Sequence, residues 1–196
     1  MKKSVFCEFD DDGVYVYQAL NPSIVALAVE NGTFGKNFDQ GRTSWIKPSF
    51  SWILQHTYAG TKHNMKAVAR VKIHHWAWLE ILENSELSHY HDDLHGDRML
   101  WQNSLKKAKV ICQWDPEKGL DGNPLGRQSI QLGLKAPILK DYVDRYVIQV
   151  EDASALARLI APYTRAGRRD FPVVPEEREY PLEEELAQRL GCGARY

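Results

Sequence analysis

The sequence predicts a single compact α+β domain with a mixed or antiparallel central sheet and flanking helices. Three observations predict it: the apolar content is 43% over 196 residues, strand-like and helix-like segments alternate irregularly, and no segment repeats. At this length one core is expected, which we place at residues 1–167. Residues 168–196 are rich in charge and proline, and we expect them to form a surface extension with a short helix at 182–190.

In the first half of the chain, three strand-like segments each precede a helical one. Strands are predicted at residues 14–20, 42–47 and 66–73, the last of them from alternating apolar residues. Asn21 is a good N-cap for a helix that follows, and Pro48 can occupy the first turn of the next. The side chains expected to face the core from the second and third helices are Phe50, Ile53, Leu54, Trp78 and Leu82.

The second half gives the same signals. Three glycines and two prolines mark residues 115–126 as a loop. Each helical segment is preceded by a residue suited to a helix start. The predicted strands cover residues 110–114, 127–134 and 146–150, and the predicted helices begin at Asp97, Pro137 and Asp152.

Charge and cysteine usage exclude several classes of protein. A net charge of -1 gives no general attraction to nucleic acid or to an acidic membrane, so any anion site must be local. Cys7, Cys112 and Cys192 are widely spaced and odd in number, which indicates neither a disulfide framework nor a thiolate zinc site. No stretch has the apolar length of a signal peptide or a membrane span. We expect a cytoplasmic protein with no membrane partner.

The segment from residue 42 to 52 mixes cations, hydroxyls and indoles without amphipathic order. Cations and hydroxyls can hold a phosphate, the indoles can form a flat wall for a base or sugar, and amide groups at a helix start favour an anion. The alternative is structural, with cations lying over the indoles and serines capping a helix. The candidate residues are Arg42, Ser44, Trp45, Lys47, Ser49 and Trp52.

A later strand carries polar residues at alternate positions. Arg127, Ser129 and Gln131 fall on one face, which we interpret as facing a substrate, although structural hydrogen bonds would also satisfy them. On the first strand, Tyr17 and Gln18 point to opposite sides, so one of them can reach a pocket.

Histidines and aspartates between residues 89 and 97 are the strongest candidates for a metal cluster, because imidazole and carboxylate groups are suitable ligands for zinc or manganese. Asp and Gly in the same stretch indicate a solvated loop, and we assign no metal site there. The residues concerned are His89, His91, Asp92, Asp93, His95 and Asp97.

Several phrases together resemble a family of unknown function, DUF4291, over nearly the whole chain. They are VYQA at 16–19, RTSWIKPSF at 42–50, QWDP at 113–116, SIQLGL at 129–134 and PEER at 175–178. The order of the early elements also resembles the ADP-ribosyltransferase fold, whose first strands and helix build an NAD cleft. That resemblance is one of element order and implies fold before function.

In that superfamily a late strand usually carries a glutamate that holds the nicotinamide ribose, and the counterpart here is Gln131. An amide can bind the ribose hydroxyls but stabilises a developing oxocarbenium charge less well than a carboxylate. Relatives that resemble RNA 2′-phosphotransferases use arginine and histidine instead, a role that Arg42 and Arg127 could take.

The resemblance and the residues together lead to an NAD-dependent ADP-ribosyltransferase-like enzyme with nucleic acid as an acceptor class. Arg42, Lys47 and Arg127 would hold the pyrophosphate and Gln131 the reacting ribose, with Arg42 and Gln131 as the catalytic pair. One alternative is a noncatalytic module that binds a nucleotide or nucleic acid through the same groups. Another is a metal-dependent hydrolase that uses the histidines of residues 89–97.

Overall fold

The computed structural model describes residues 2–58 and 67–193, which form an α+β fold on three sheets. The strands are β1 (Lys2–Lys3), β2 (Phe6–Cys7), β3 (Gly13–Leu20), β4 (Ser44–Ile46), β5 (Ala67–His74), β6 (Ser85–Leu87), β7 (Val110–Lys118), β8 (Pro124–Leu134), β9 (Val147–Asp152) and β10 (Arg178–Glu179). The α-helices are α1 (Pro22–Asn31), α2 (Phe50–Tyr58), α3 (His75–Glu83), α4 (Asp92–His95), α5 (Arg98–Lys107), α6 (Ile138–Asp141), α7 (Ser154–Arg165) and α8 (Glu184–Arg189), and a π-helical turn (Tyr142–Tyr146) follows α6.

The largest sheet has five strands, in the order β1, β8, β7 and β6, with β4 also paired to β8. The hairpin of β7 and β8 is antiparallel, whereas β1 and β6 lie parallel to their neighbours, so the sheet is mixed. Strands β3, β5 and β9 form a separate antiparallel sheet. Lys47, just after β4, joins the two sheets, because it exchanges backbone hydrogen bonds with Tyr17 of β3 at 2.7 and 3.1 Å. The α+β class is confirmed, but the expected single central sheet is divided.

The early elements follow the sequence closely. Asn21 caps α1 by accepting a hydrogen bond from the Ser23 N–H at 3.0 Å, and Gly32 ends that helix with φ at 71°. Helix α2 begins at Phe50, two residues after Pro48. Residue 66, the expected start of the third strand, lies outside the described residues. The five side chains predicted to face the core from the second and third helices are all buried.

The loop predicted at residues 115–126 is wrong at both ends. Strand β7 continues to Lys118 and β8 begins at Pro124, so the two strands meet in a short turn. Gly119 donates its N–H to the Asn123 carbonyl at 2.8 Å and closes that turn. Pro116 is tolerated in β7 because the pairing register shifts directly after it.

The C-terminal segment, expected to wrap the surface, also completes the core. Tyr180, Leu186 and Leu190 are buried in it, and the Trp114 indole donates to the Leu190 carbonyl at 2.8 Å. By contrast α5, correctly capped by Asp97, contains no buried residue. Of the helices in the described ranges, none combines the length and the apolar character needed to cross a membrane.

Candidate functional site

The hairpin of β7 and β8 presents a row of polar side chains on one side, which we call the polar face. Gln113 is paired with Gln131, and Asp115 with Ser129, so alternate residues of the two strands lie side by side. The residues between them in sequence, such as Ile130 and Leu132, point to the other side of the sheet and are buried in the core. The polar face consists of Gln113, Asp115, Glu117, Arg127, Ser129 and Gln131.

At one end of the polar face, two glutamines are held by a shared carboxylate. Gln131 donates its Nε2 to one oxygen of Asp115 at 2.6 Å, and Gln113 donates its Nε2 to the other at 2.9 Å. Because both amide nitrogens are directed at Asp115, the two amide oxygens point away from it. A carboxylate of fixed position thus orients two acceptors that can receive ligand hydroxyl groups.

At the other end, Arg127 lies between two glutamates. Its Nε lies 2.5 Å from an oxygen of Glu117 and its Nη2 lies 3.8 Å from Glu177, while its guanidinium packs 3.7 Å from the ring centroid of Phe6. The Glu117 side chain is only 1% exposed. Such a buried carboxylate requires a charged partner, which Arg127 supplies.

Glu177 reaches this cluster from the segment that precedes β10. Its Oε1 accepts a hydrogen bond from the Phe50 N–H at 2.7 Å, at the start of α2. Burial, and next the charge of Glu117, raise the pKa of Glu177 to about 7, against the opposing effects of the Phe50 N–H, Arg127 and Ser49. A carboxyl group with this pKa can take up or release a proton at neutral pH.

A cavity of about 170 Å³ adjoins the two carboxylates, lined among others by Ser51, Leu125 and Val174. Glu117 and Glu177 both line it. The Oε1 of Glu117 is buried and has no hydrogen-bond partner among the described residues. Buried acceptors are normally satisfied, so this oxygen is suited to a ligand that donates an N–H or O–H group.

The two indoles of the basic and aromatic segment lie on different elements. Trp45 of β4 is paired with Gly133 of β8, and a Cβ atom on Gly133 would come within 3.0 Å of the Trp45 ring. Gly133 and Gln131 are two residues apart on β8 and face the same side of the sheet, so this indole borders the polar face. The Lys47 ammonium lies 4.4 Å from the ring centroid of Trp52, a cation–π contact.

Arg42 lies apart from the other predicted cations. It is exposed, and its nearest acidic partner is Asp39 at 3.9 Å. It precedes β4, which begins opposite Leu134, and the seven residues back to Arg127 on β8 correspond to about 23 Å of strand. This separation does not favour one pyrophosphate held by both arginines.

Three other candidates are engaged in buried hydrogen bonds. Gln18 donates to the Ser44 hydroxyl and accepts from the Tyr142 hydroxyl, both at 2.9 Å. Tyr17 donates its hydroxyl to Glu8 at 3.0 Å. Gln18, Ser44 and Tyr17 therefore have hydrogen-bond partners within the protein.

The start of α2 is already capped by the protein. Glu177 binds the first amide, and the Ser49 hydroxyl accepts a hydrogen bond from the Trp52 N–H at 3.2 Å. The anion at this helix end is thus the protein's own carboxylate, where the sequence suggested a bound phosphate.

The histidines of residues 89–97 make local contacts. His95 accepts a hydrogen bond from the His91 N–H at 2.9 Å, and its Nε2 lies 3.4 Å from Glu86. Within residues 2–58 and 67–193, no group of three or more His, Cys, Asp or Glu side chains is arranged to hold a metal ion. The metal-dependent hydrolase stays an untested alternative.

Sequence reasoning missed the β7 half of the polar face and Glu177. Gln113, Asp115 and Glu117 do alternate, but Pro116 and the glycines that follow concealed the strand. Glu177 lies in a segment without periodicity, and only the folded chain brings it to Arg127.

A model of the family described as "Domain of unknown function (DUF4291)" matches residues 4–180. The match spans the whole polar face and Glu177. Among curated proteins, none matches the chain significantly.

Proposed function

Since the chain belongs to the DUF4291 family, whose description states no activity, we propose a function from the site itself: an NAD-dependent transferase of ADP-ribosyltransferase type, with nucleic acid as an acceptor class. One observation carries the proposal. Two oriented amide oxygens, those of Gln113 and Gln131, lie at one end of the polar face. At the other end, Glu117 and Glu177 line a cavity, and one oxygen of Glu117 has no hydrogen-bond partner among the described residues.

The cavity suits one ring of a dinucleotide. Its volume of about 170 Å³ is below the roughly 300–1,000 Å³ of pockets that enclose whole drug-sized ligands. The unsatisfied Oε1 of Glu117 fits the N–H of a carboxamide or the O–H of a ribose. The rest of NAD would then extend along the polar face.

The glutamines are suited to the ribose. Gln131 and Gln113 offer two acceptor oxygens fixed by Asp115, and a ribose diol offers two donors. Gln131 thus keeps the role expected from the sequence, and Gln113 is added to it. Because these side chains are already oriented, little conformational entropy is lost when a ligand binds.

The carboxylates supply the acid and base chemistry. NAD, when bound, supplies an ADP-ribosyl group as nicotinamide departs. Glu177 would accept the proton of the attacking hydroxyl, since its pKa of about 7 leaves it partly ionised at neutral pH. Glu117, which is paired with Arg127, would face the positive charge that develops at the sugar. Lys47, beside Trp52, is the remaining candidate for a phosphate.

The proposal is tested by mixing the full chain with NAD and total cellular RNA, DNA or protein, and measuring nicotinamide release and the mass of ADP-ribose on each acceptor. Glu177→Gln should lower the rate by about 100-fold, the scale of a lost general base. Gln131→Leu should also lower it by about 100-fold, because it removes an amide that orients the ribose. Glu176→Gln, which changes the exposed neighbour of Glu177, is the matched control and should be unaffected. Absence of NAD binding by calorimetry, with the chain folded, would overturn the proposal.

A noncatalytic binding module is the second candidate. The observation that favours it is the 2.5 Å ion pair of Glu117 with Arg127, which neutralises one of the two carboxylates that line the cavity. In that case oligonucleotide affinity should fall steeply with salt concentration, without nicotinamide release.

A further inference from the structure

A second cavity lies on the other side of the β7 and β8 hairpin, away from the polar face. Its volume is about 250 Å³. Cys112 and Trp114 of β7 and Gln128 of β8 line it, and these residues have the parity opposite to that of the polar face. The cavity is therefore separated from the proposed NAD site by the sheet itself. The other lining residues used below are Lys3, Ser88, His89 and His91.

The groups that line this cavity are cationic or neutral. Lys3 is 4% exposed and is held in place by the pairing of β1 with β8, opposite Gln128. His89 and His91 follow β6, and the Ser88 hydroxyl lies 3.0 Å from the His89 ring. Of the described residues that line the cavity, none is an aspartate or a glutamate. Glu86 and Asp93 act on Cys112 and His91 from outside the lining, whereas the charge that lines the cavity itself is that of Lys3, which favours an anion.

One lining group requires a donor. The side-chain oxygen of Gln128 is buried and has no hydrogen-bond partner among the described residues. A fully deprotonated oxyanion cannot satisfy it, because such an ion only accepts hydrogen bonds. An oxyanion that retains a proton can bind the cations through its charged oxygens and donate its O–H to Gln128.

Burial also disfavours the charged forms of two lining groups. It lowers the pKa of Lys3, an effect that the thiols of Cys112 and Cys192 oppose, and burial together with the Lys3 charge lowers the pKa of His91. Both shifts express the cost of holding positive charge away from water. A bound anion would offset that cost.

We propose that this cavity binds a protonated phosphate group, either inorganic phosphate or the phosphate of a small monoester, through Lys3, the two histidines and Gln128. The aromatic wall of Trp114 leaves room for a small organic group beside the phosphate. The proposal is independent of NAD, since the two sites lie on opposite faces of the sheet.

The test is calorimetric titration of the full chain with inorganic phosphate and with sulfate, at pH 6.5 and constant ionic strength. Sulfate has the size and shape of phosphate but carries no proton at this pH, so it should bind about tenfold more weakly. Ribose 5-phosphate, with ribose as its uncharged control, distinguishes a monoester site from a site for the free ion. Equal affinities for phosphate and sulfate would overturn the proposal.

Two variants locate the site. Lys3→Met should lower phosphate affinity by about tenfold or more, while Lys36→Met, which removes an exposed lysine that does not line the cavity, should leave it unchanged. Gln128→Leu should remove the preference for phosphate over sulfate, a result that does not depend on how well the Lys3 variant folds. Unchanged phosphate binding in folded Lys3→Met, or unchanged preference in Gln128→Leu, would contradict the assignment.

Discussion

The two faces of the β7 and β8 hairpin differ in polarity and in burial. Gln131 contacts Asp115 on one face, while Ile130 and Leu132, its neighbours in sequence, are buried among apolar side chains on the other. A strand sends successive side chains to opposite sides, so one hairpin can support the core and present a site at once. The effect of a substitution on stability should therefore depend on the face of the strand to which the side chain points, more than on its position along the strand.

The faces also differ in charge. The polar face carries the carboxylates of Asp115 and Glu117, and Glu177 adjoins it at Arg127. The cavity on the opposite face is lined by Lys3 and imidazoles, and no carboxylate is among its described lining residues. The first face is therefore expected to bind groups that donate hydrogen bonds, such as the hydroxyl groups of a ribose. The second is expected to bind an anion.

The largest effect should come from breaking the ion pair on the polar face. Arg127→Met leaves the buried carboxylate of Glu117 without its cation, which typically costs about 3–5 kcal/mol. Urea unfolding monitored by tryptophan fluorescence measures the loss in the free energy of unfolding.

A matched double variant sharpens this prediction. Glu117→Leu combined with Arg127→Met removes both charges and should recover most of the lost stability, since well-packed apolar residues often replace a buried ion pair without loss. A double variant as unstable as the single one would show that the arginine acts by packing on Phe6 and not by its charge.

The difference between the two faces can be tested with substitutions of adjacent residues on β8. Leu132→Ala should lower the free energy of unfolding by about 2–5 kcal/mol, because Leu132 is fully buried. Gln131→Ala should cost only about 1 kcal/mol, the value of one partly exposed hydrogen bond. Similar losses in both variants, measured by urea unfolding, would mean that the polar face is part of the core.

A pH dependence of stability is expected from Glu177. Its pKa of about 7 in the folded chain lies above the ordinary value of 4.5, so between these pH values the folded chain binds a proton that the unfolded chain has released. Stability contributed by this group should therefore fall as pH rises from 4.5 to 7 and then level off, by about 3 kcal/mol at most.

Unfolding measured at a series of pH values, for the wild type and for Glu177→Gln, isolates this effect. The difference between the two proteins should change over that pH window, and Glu176→Gln should follow the wild type. A constant difference would contradict the raised pKa.

The sequence predicted local structure well where one signal dominated. Asn21 and Asp97 cap the helices they were expected to cap, and Phe50 and Trp78 are buried as their spacing indicated. It failed at residues 115–126, where proline and glycine outweighed the alternation of Asp115 and Glu117. Loop signals are local, whereas pairing with β8 is decided by a partner strand.

For the site, the sequence identified half of what matters. The alternation of Arg127, Ser129 and Gln131 predicted a polar stripe, and the structure shows these side chains on one face of the sheet. The sequence analysis also grouped Arg42 with these residues. Arg42 precedes β4, however, which begins opposite Leu134, at the end of β8 distant from Arg127. The distance between two residues on paired strands depends on the pairing register and cannot be predicted from residue type.

By itself, then, the sequence determined the helix caps, the strands outside residues 115–126 and which face of β8 is polar, because those properties depend on side-chain chemistry a few residues apart. Only the tertiary structure decided that Glu177 would meet Glu117 and Arg127, and that Lys3 would lie beside Gln128 on the opposite face. The physical reason is that the free energy of a buried charge depends on its neighbours in space. Those neighbours come from distant parts of the chain.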